Sequence, residues 1–190
     1  MITLVTGGSG SGKSEYAEQL ISQTPRGRRY YVATMIAWGR EGKEKVRRHQ
    51  KLRRGKGFFT LEQPADLYRV RLDGAGESAV LLECVSNLAA NEMFGQEREG
   101  GAAGVKKSPN VEELAHKIVE DILSLARQAR DMVIVTNEVD RDGVTYEDET
   151  MEYIRLMGLI NRRLSGLADQ VVEVVCGIPV VLKTSQGERG

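Results

Sequence analysis

The sequence predicts an α/β fold, a mainly parallel sheet flanked by helices in a single domain, on three observations. Short apolar, β-prone runs alternate along the chain with longer segments of helical periodicity. Two of those runs, Ala79-Val80-Leu81-Leu82 and Met132-Val133-Ile134-Val135-Thr136, are apolar without interruption, as expected of strands covered on both faces. And 190 residues suffice for one sizeable core but are few for two.

Taken in order, Ile2-Thr3-Leu4-Val5-Thr6 reads as a short buried strand, and Lys13 to Ser22 as the helix that follows it. Arg29 to Ala33 looks like a second strand, and 170–175 and 179–182 are two further β-rich runs separated by Gly177. Between 111 and 130, Leu114, Ile118, Ile122 and Leu125 recur at helical spacing; Ile154, Met157, Ile160, Leu164 and Leu167 do so between 149 and 168. The glycine-rich polar stretch 95–110 is expected to be a flexible loop, and 184–190 a polar tail.

Composition narrows the function classes. Lys and Arg total 27 and Asp and Glu total 27, so no global basic field argues for a nucleic-acid partner. Basic residues do cluster between 40 and 56. No apolar run approaches the roughly 20 residues of a membrane span, and the N-terminus lacks the charge order and cleavage site of a signal peptide. Cys84 and Cys176 sit in apolar surroundings without metal-like spacing and are expected to be two buried, reduced thiols. A soluble protein of the cytoplasm is the expectation.

Gly7-Gly8-Ser9-Gly10-Ser11-Gly12-Lys13-Ser14 fits G-x-x-x-x-G-K-[ST], with a strand entering and a helix leaving. This is the P-loop pattern, so the fold expected is of the P-loop NTPase type. Glycines are needed because backbone N–H groups must close on phosphates where side chains would obstruct them. The helix N-terminus adds its partial positive charge. Lys13 is expected on the β- and γ-phosphates and the Ser14 hydroxyl on Mg²⁺.

Such a loop needs an acid near the metal, and strand carboxyl ends are where open α/β sheets bind ligands. Glu83 and Glu138 each follow an apolar run; Glu83 is the better candidate for metal or nucleotide, whereas Glu138 reads equally as a solvated acid. Of the two histidines, His116 falls beside an apolar stripe and reads as partly exposed surface. His49 lies among Lys45, Arg47, Arg48, Lys51, Arg53 and Arg54. Neighbouring cations lower an imidazole's pKa and keep it neutral and nucleophilic. A solvated helix face explains the same charges, and composition leaves both readings open.

Several segments together resemble the bifunctional adenosylcobinamide kinase and adenosylcobinamide-phosphate guanylyltransferase family of cobalamin biosynthesis. Thr6 to Ser14 matches its opening T-G-G-x-x-S-G-K-S, and Tyr31-Val32-Ala33-Thr34 its Y-[IV]-A-T. The segment from Lys45 through His49 to Arg53 resembles its R-I-x-x-H-x-x-x-R block. Phe58-Phe59-Thr60-Leu61-Glu62 is similar to its W-x-T-x-E, with phenylalanine for tryptophan and one extra residue. Leu81-Leu82-Glu83-Cys84 with the later Asn91, then Val135-Thr136-Asn137-Glu138-Val139, follow in order. The series closes with Asn161 to Asp169 and Gly177-Ile178-Pro179.

The resemblance implies that His49 takes GMP from GTP as a covalent guanylyl-histidine and passes it to adenosylcobinamide phosphate. It also implies a kinase step on adenosylcobinamide with ATP or GTP. By position it places nucleotide contacts at Ala33, Thr34, Met35, Gln50, Lys51, Leu52, Arg53, Glu62 and Glu83. It further implies a corrinoid substrate and a homo-oligomer, a trimer with sites between subunits. Two other readings compete: a small-molecule kinase alone, and a GTP-binding regulatory module, against which the chain carries no N-K-x-D motif.

Overall fold

The computed structural model describes residues 1–24, 27–36, 44, 47, 55–74, 76–95, 110–139 and 147–185. The described strands are β1 (Ile2–Thr6), β2 (Arg29–Ala33), β3 (Phe58–Glu62), β4 (Ala79–Glu83), β5 (Asp131–Val135), β6 (Gln170–Val175) and β7 (Ile178–Thr184). The helices are α1 (Lys13–Ser22), α2 (Val85–Phe94), α3 (Val111–Ala126) and α4 (Asp148–Leu167), with a 3₁₀ turn at Leu67–Arg69. The strands form one sheet in the order β3-β2-β4-β5-β1-β6-β7. All neighbours run parallel except β6 and β7, which pair antiparallel. The expected mainly parallel sheet flanked by helices is what forms.

Side chains alternate faces along a strand, and both faces of the central strands are covered. Val80 and Leu82 of β4, with Leu4, Val32 and Ile134, pack into a large core with residues of α2, α3 and α4. Ala79 and Leu81, with Val5, Tyr31, Val133 and Val135, pack against Ala17 and Ile21 of α1. That two-sided burial is why β4 and β5 read as unbroken apolar runs.

Several boundaries shift. The helix expected over 111–130 ends at Ala126, and the one expected over 149–168 runs Asp148–Leu167. Asn110 sets the start of α3: its Oδ1 accepts from the Glu112 N–H at 3.0 Å, a side-chain N-cap. The expected loop at 95–110 lies outside the described residues except for its two ends. β7 extends through Thr184, so the expected tail overlaps the strand's last residue; 186–190 fall outside the described residues. α2 and β3 form where the sequence pattern alone predicts no element. In α2, Val85, Leu88, Ala89 and Met93 carry the helical spacing and are buried.

The thiols correct an expectation. Cys84 is only half-buried and Cys176 is exposed. Cys176 occupies the β6–β7 turn with φ 51°, followed by Gly177 at φ 80°, a two-residue hairpin turn in which the cysteine faces solvent. Apolar sequence neighbours do not bury a residue at such a turn.

Beside the larger core, Lys117 of α3 binds three carboxylates. Its Nζ donates to Glu92 at 2.8 Å and to Asp66 and Asp121 at 3.1 Å. The three acids converge as metal ligands would, but the lysine ammonium holds the centre and ties α2, α3 and the 3₁₀ turn together. Burial opposes the charge on Lys117, yet the hydrogen bonds to Glu92 and Asp121 outweigh it and hold the pKa above the ordinary 10.5. A raised lysine pKa contributes fully below its unfolded value and is lost as pH rises through the folded one. Lys117→Met is expected to cost about 2 kcal/mol at neutral pH, discounted from a fully buried pair because the lysine is partly exposed. Urea midpoints at pH 7 and above pH 10.5 should show the gap to wild type narrowing at the higher pH.

Candidate functional site

Residues Gly7 to Gly12 leave the carboxyl end of β1 and turn directly into α1. Gly7 adopts φ 148°, and a Cβ there would lie 2.5 Å from the Val174 carbonyl oxygen. Gly12 caps α1 at φ 91°, with Gly177 Cα only 3.3 Å from where its Cβ would be. Both motif glycines are therefore required by backbone conformation and by close approach of β6 and its turn. Gly8, Ser9 and Gly10 face solvent, so the cradle is open. The β6–β7 turn braces it: the Gly177 N–H donates to the Ser11 carbonyl at 2.8 Å.

Lys13 is buried, and its Nζ donates to the Gly8 carbonyl at 2.8 Å, across the loop it closes. Burial lowers its pKa, while attraction to Cys84 and Glu83 pulls the other way. A phosphate entering the cradle would take over the contact that Gly8 now supplies.

Glu83 ends β4, two strands from β1, because β5 lies between them. It still meets the loop, since α1 crosses over β5 and β4 and brings its first turn above the β4 end. The Ser14 hydroxyl donates to Glu83 Oε1, and the Tyr31 hydroxyl donates to Oε2. Mg²⁺ takes hard oxygen ligands and binds proteins through one or two such groups plus phosphates. A serine hydroxyl and a carboxylate already in contact at the cradle fit that demand.

The parallel register sets Glu62, Ala33 and Glu83 side by side on β3, β2 and β4 at the sheet's carboxyl edge. Thr34 follows and is fully buried. Its N–H donates to the Glu83 carbonyl at 3.0 Å, and its hydroxyl donates to the Cys84 carbonyl at 2.8 Å while accepting from the Cys84 N–H at 2.9 Å. Asn91 of α2 donates to the carbonyls of Thr34 at 2.7 Å and Pro64 at 3.0 Å. Thr34 thus locks the ends of β2 and β4 with its side chain, and Asn91 ties that lock to the segment after β3. Met35, partly buried, continues from this edge.

The structure brings the P-loop, Glu83, Ala33, Thr34 and Glu62 to one edge. His49, Gln50, Lys51, Leu52 and Arg53 lie outside the described residues. Glu138 follows β5 at the same edge and is partly buried, and His116 is exposed on α3. Asn137 Nδ2 donates to the Ser86 hydroxyl at 2.6 Å. Tyr153, pushed up to about 12 by burial and by Cys84, donates to the Ser86 carbonyl at 3.0 Å. Other residues of the resembling motifs are structural: Asn161 bridges Thr136 and the Asn137 carbonyl, and Asp169 accepts from the Ile2 N–H at 2.7 Å. Tyr31 and Asn91 gave no separate signal as site residues, because their partners come from different elements.

Strand order, loop and acid together define a protein of the P-loop nucleotide-binding α/β class. Two solved structures share this fold. One is an ATPase domain (TM-score 0.51, 10% identity, all of this chain and 78% of that one). The other is an ATPase from the type III secretion system of pathogenic bacteria (TM-score 0.51, 12% identity, 95% of this chain and 56% of that one). At such identities they speak to fold alone. Residues 3–182 match the cobinamide kinase / cobinamide phosphate guanyltransferase family. A bifunctional adenosylcobalamin biosynthesis protein CobU from Salmonella typhimurium is 31% identical, over 96% of this chain and all of the relative. Its counterpart from Escherichia coli is 29% identical over the same shares. This chain belongs to the cobinamide kinase / cobinamide phosphate guanyltransferase family and is an enzyme of it. Among the described residues, no helix is long and apolar enough to cross a membrane.

Because burial of the Lys13 charge costs stability, Lys13→Met is expected to leave the urea midpoint unchanged or raised. GTP affinity measured by calorimetry should fall about 10- to 100-fold, matching the loss of hydrogen bonds to a charged group.

Proposed function

We propose that this enzyme phosphorylates adenosylcobinamide with ATP or GTP, and that it transfers GMP from GTP to adenosylcobinamide phosphate through a guanylyl-histidine at His49. The observation that carries the reading is the contact of Ser14 with Glu83 at the mouth of the P-loop, level with Glu62 and Ala33. It supplies a triphosphate cradle and oxygen ligands in a chain whose relatives are named as bifunctional.

In the kinase step, the aminopropanol hydroxyl of adenosylcobinamide attacks the γ-phosphorus, and the nucleoside diphosphate leaves. In the transfer step, an imidazole nitrogen of His49 attacks the α-phosphorus of GTP, and the bond to the β-phosphate breaks with release of pyrophosphate. A phosphate oxygen of adenosylcobinamide phosphate then attacks the phosphorus of the guanylyl group, forming a P–O–P bond while the P–N bond to His49 breaks, which gives adenosylcobinamide-GDP and the free imidazole. Covalent catalysis divides one difficult substitution into two easier ones. Backbone N–H groups of the loop and Lys13 bind the phosphates. Ser14 and Glu83 would hold Mg²⁺, which when bound neutralises charge developing on the phosphoryl oxygens. Gln50, Lys51, Leu52 and Arg53, with Ala33, Met35 and Glu62, complete the nucleotide contacts in this reading, and the buried Thr34 holds the edge on which Ala33 and Met35 stand.

The same proposal includes a homo-oligomer, a trimer, working in the cytoplasm. The exposed apolar residues Ile178, Val181 and Leu182 of β7 support association of copies. Size-exclusion chromatography with light scattering is expected to give three times the chain mass, and a monomer would overturn that part.

Incubation with GTP and Mg²⁺, followed by mass spectrometry of the intact protein and its peptides, is expected to show a GMP adduct on His49. The adduct is expected to be acid-labile, alkali-stable and absent from His49→Ala. Transfer of γ-phosphate to adenosylcobinamide without an adduct would reduce the function to the kinase alone. Slow GTP hydrolysis with no transfer would point instead to a regulatory GTP-binding module.

A further inference from the structure

Tyr31 lies on β2 directly opposite Leu81 of β4, and both side chains face α1. Glu83 is two residues beyond Leu81, so the strand period returns its side chain to that same face. The tyrosine ring is buried at 3% exposure and packed edge-on against Phe58 at 5.9 Å between centroids. A buried phenol needs a hydrogen-bond partner, and the Tyr31 hydroxyl donates to Glu83 Oε2. The carboxylate's other oxygen, Oε1, accepts from Ser14.

A glutamate carboxylate at a strand end turns about three side-chain torsions unless both oxygens are held. Here one oxygen is anchored from inside the sheet layer and the other is turned toward the P-loop serine. We infer that Tyr31 is a positioning residue for the Mg²⁺–nucleotide site, holding Glu83 so that its carboxylate and the Ser14 hydroxyl are brought together before metal arrives. The inference rests on the proposed role of Glu83 as a metal-holding carboxylate. Tyr31 itself need not touch nucleotide or metal. Partners that orient a ligating group commonly set metal affinity by about 10- to 100-fold, because freezing that group in advance removes an entropic cost from binding.

The test uses the full chain, Mn²⁺ as a spectroscopic substitute for Mg²⁺, and a non-hydrolysable GTP analogue. Free Mn²⁺ is followed by electron paramagnetic resonance, and metal-free affinity for the analogue by calorimetry in a chelator. Tyr31→Phe keeps the ring and removes the hydroxyl. It is expected to weaken Mn²⁺ binding to the protein–analogue complex about tenfold or more, with metal-free affinity within about twofold of wild type. Phe58→Leu loosens the ring's packing but keeps the hydroxyl, and is expected to titrate as wild type. Glu83→Gln is expected to weaken Mn²⁺ binding at least as much as Tyr31→Phe. If Tyr31→Phe binds Mn²⁺ as wild type does while Glu83→Gln does not, the positioning role is overturned and the metal role of Glu83 stands. If Glu83→Gln also titrates as wild type, the metal role falls, and the inference with it. Equal weakening of Tyr31→Phe with and without metal, or the same defect in Phe58→Leu, would make Tyr31 a packing residue and overturn the inference.

Discussion

Parallel pairing of β3, β2, β4, β5, β1 and β6 is the constraint on which the rest of this molecule depends. Parallel strands send every carboxyl end to the same edge, so residues from five separated segments arrive together without any contact between them in sequence. The ladder also fixes level as well as direction. Glu62, Ala33 and Glu83 share a row because their backbones are in register. The strand period then decides that Tyr31, Leu81 and Glu83 share a face, and α1 is packed against that face.

Around that edge, polar side chains spend their hydrogen bonds on backbone. Thr34 joins the ends of β2 and β4 and Asn91 ties them to the segment after β3, while at the opposite, amino edge Asp169 anchors the start of β1. The Gly177 amide on Ser11 braces the P-loop from the far hairpin. An anion-binding loop works by having its N–H groups aimed before the ligand comes. The locks at the carboxyl edge supply that rigidity from outside the loop, and bonds to the scaffold explain why motif positions such as Asn91, Asn161 and Asp169 carry polar residues without facing a ligand.

Much of the architecture was legible because it rests on local patterns. The helix expected over Lys13 to Ser22 forms over those residues, and the apolar runs at β4 and β5 announce strands buried on two faces. The P-loop glycines were legible because φ values of 148° and 91° at Gly7 and Gly12 exclude other residues. Less legible was β3, a short edge strand whose Phe59 and Thr60 are exposed and so leave a weak burial signal. The two cysteines misled for a related reason: their neighbours are apolar, but the Cys176 backbone turns at a hairpin tip where nothing covers it.

By itself, the sequence determined the strand–loop–helix that makes a phosphate cradle and the ordered motifs that mark the family. Those depend on residue type at close spacing, where backbone freedom and hydrophobic period act within a few residues. Only the tertiary structure decided that β5 would separate β1 from β4 while α1 still carried Ser14 to Glu83. It alone chose Tyr31 as the second partner of that carboxylate and Lys117 as the cation inside three acids. Each of these joins residues tens of positions apart except the pair within α3. Strand order and helix crossing are settled by packing of the whole core, which no local stretch of residues contains.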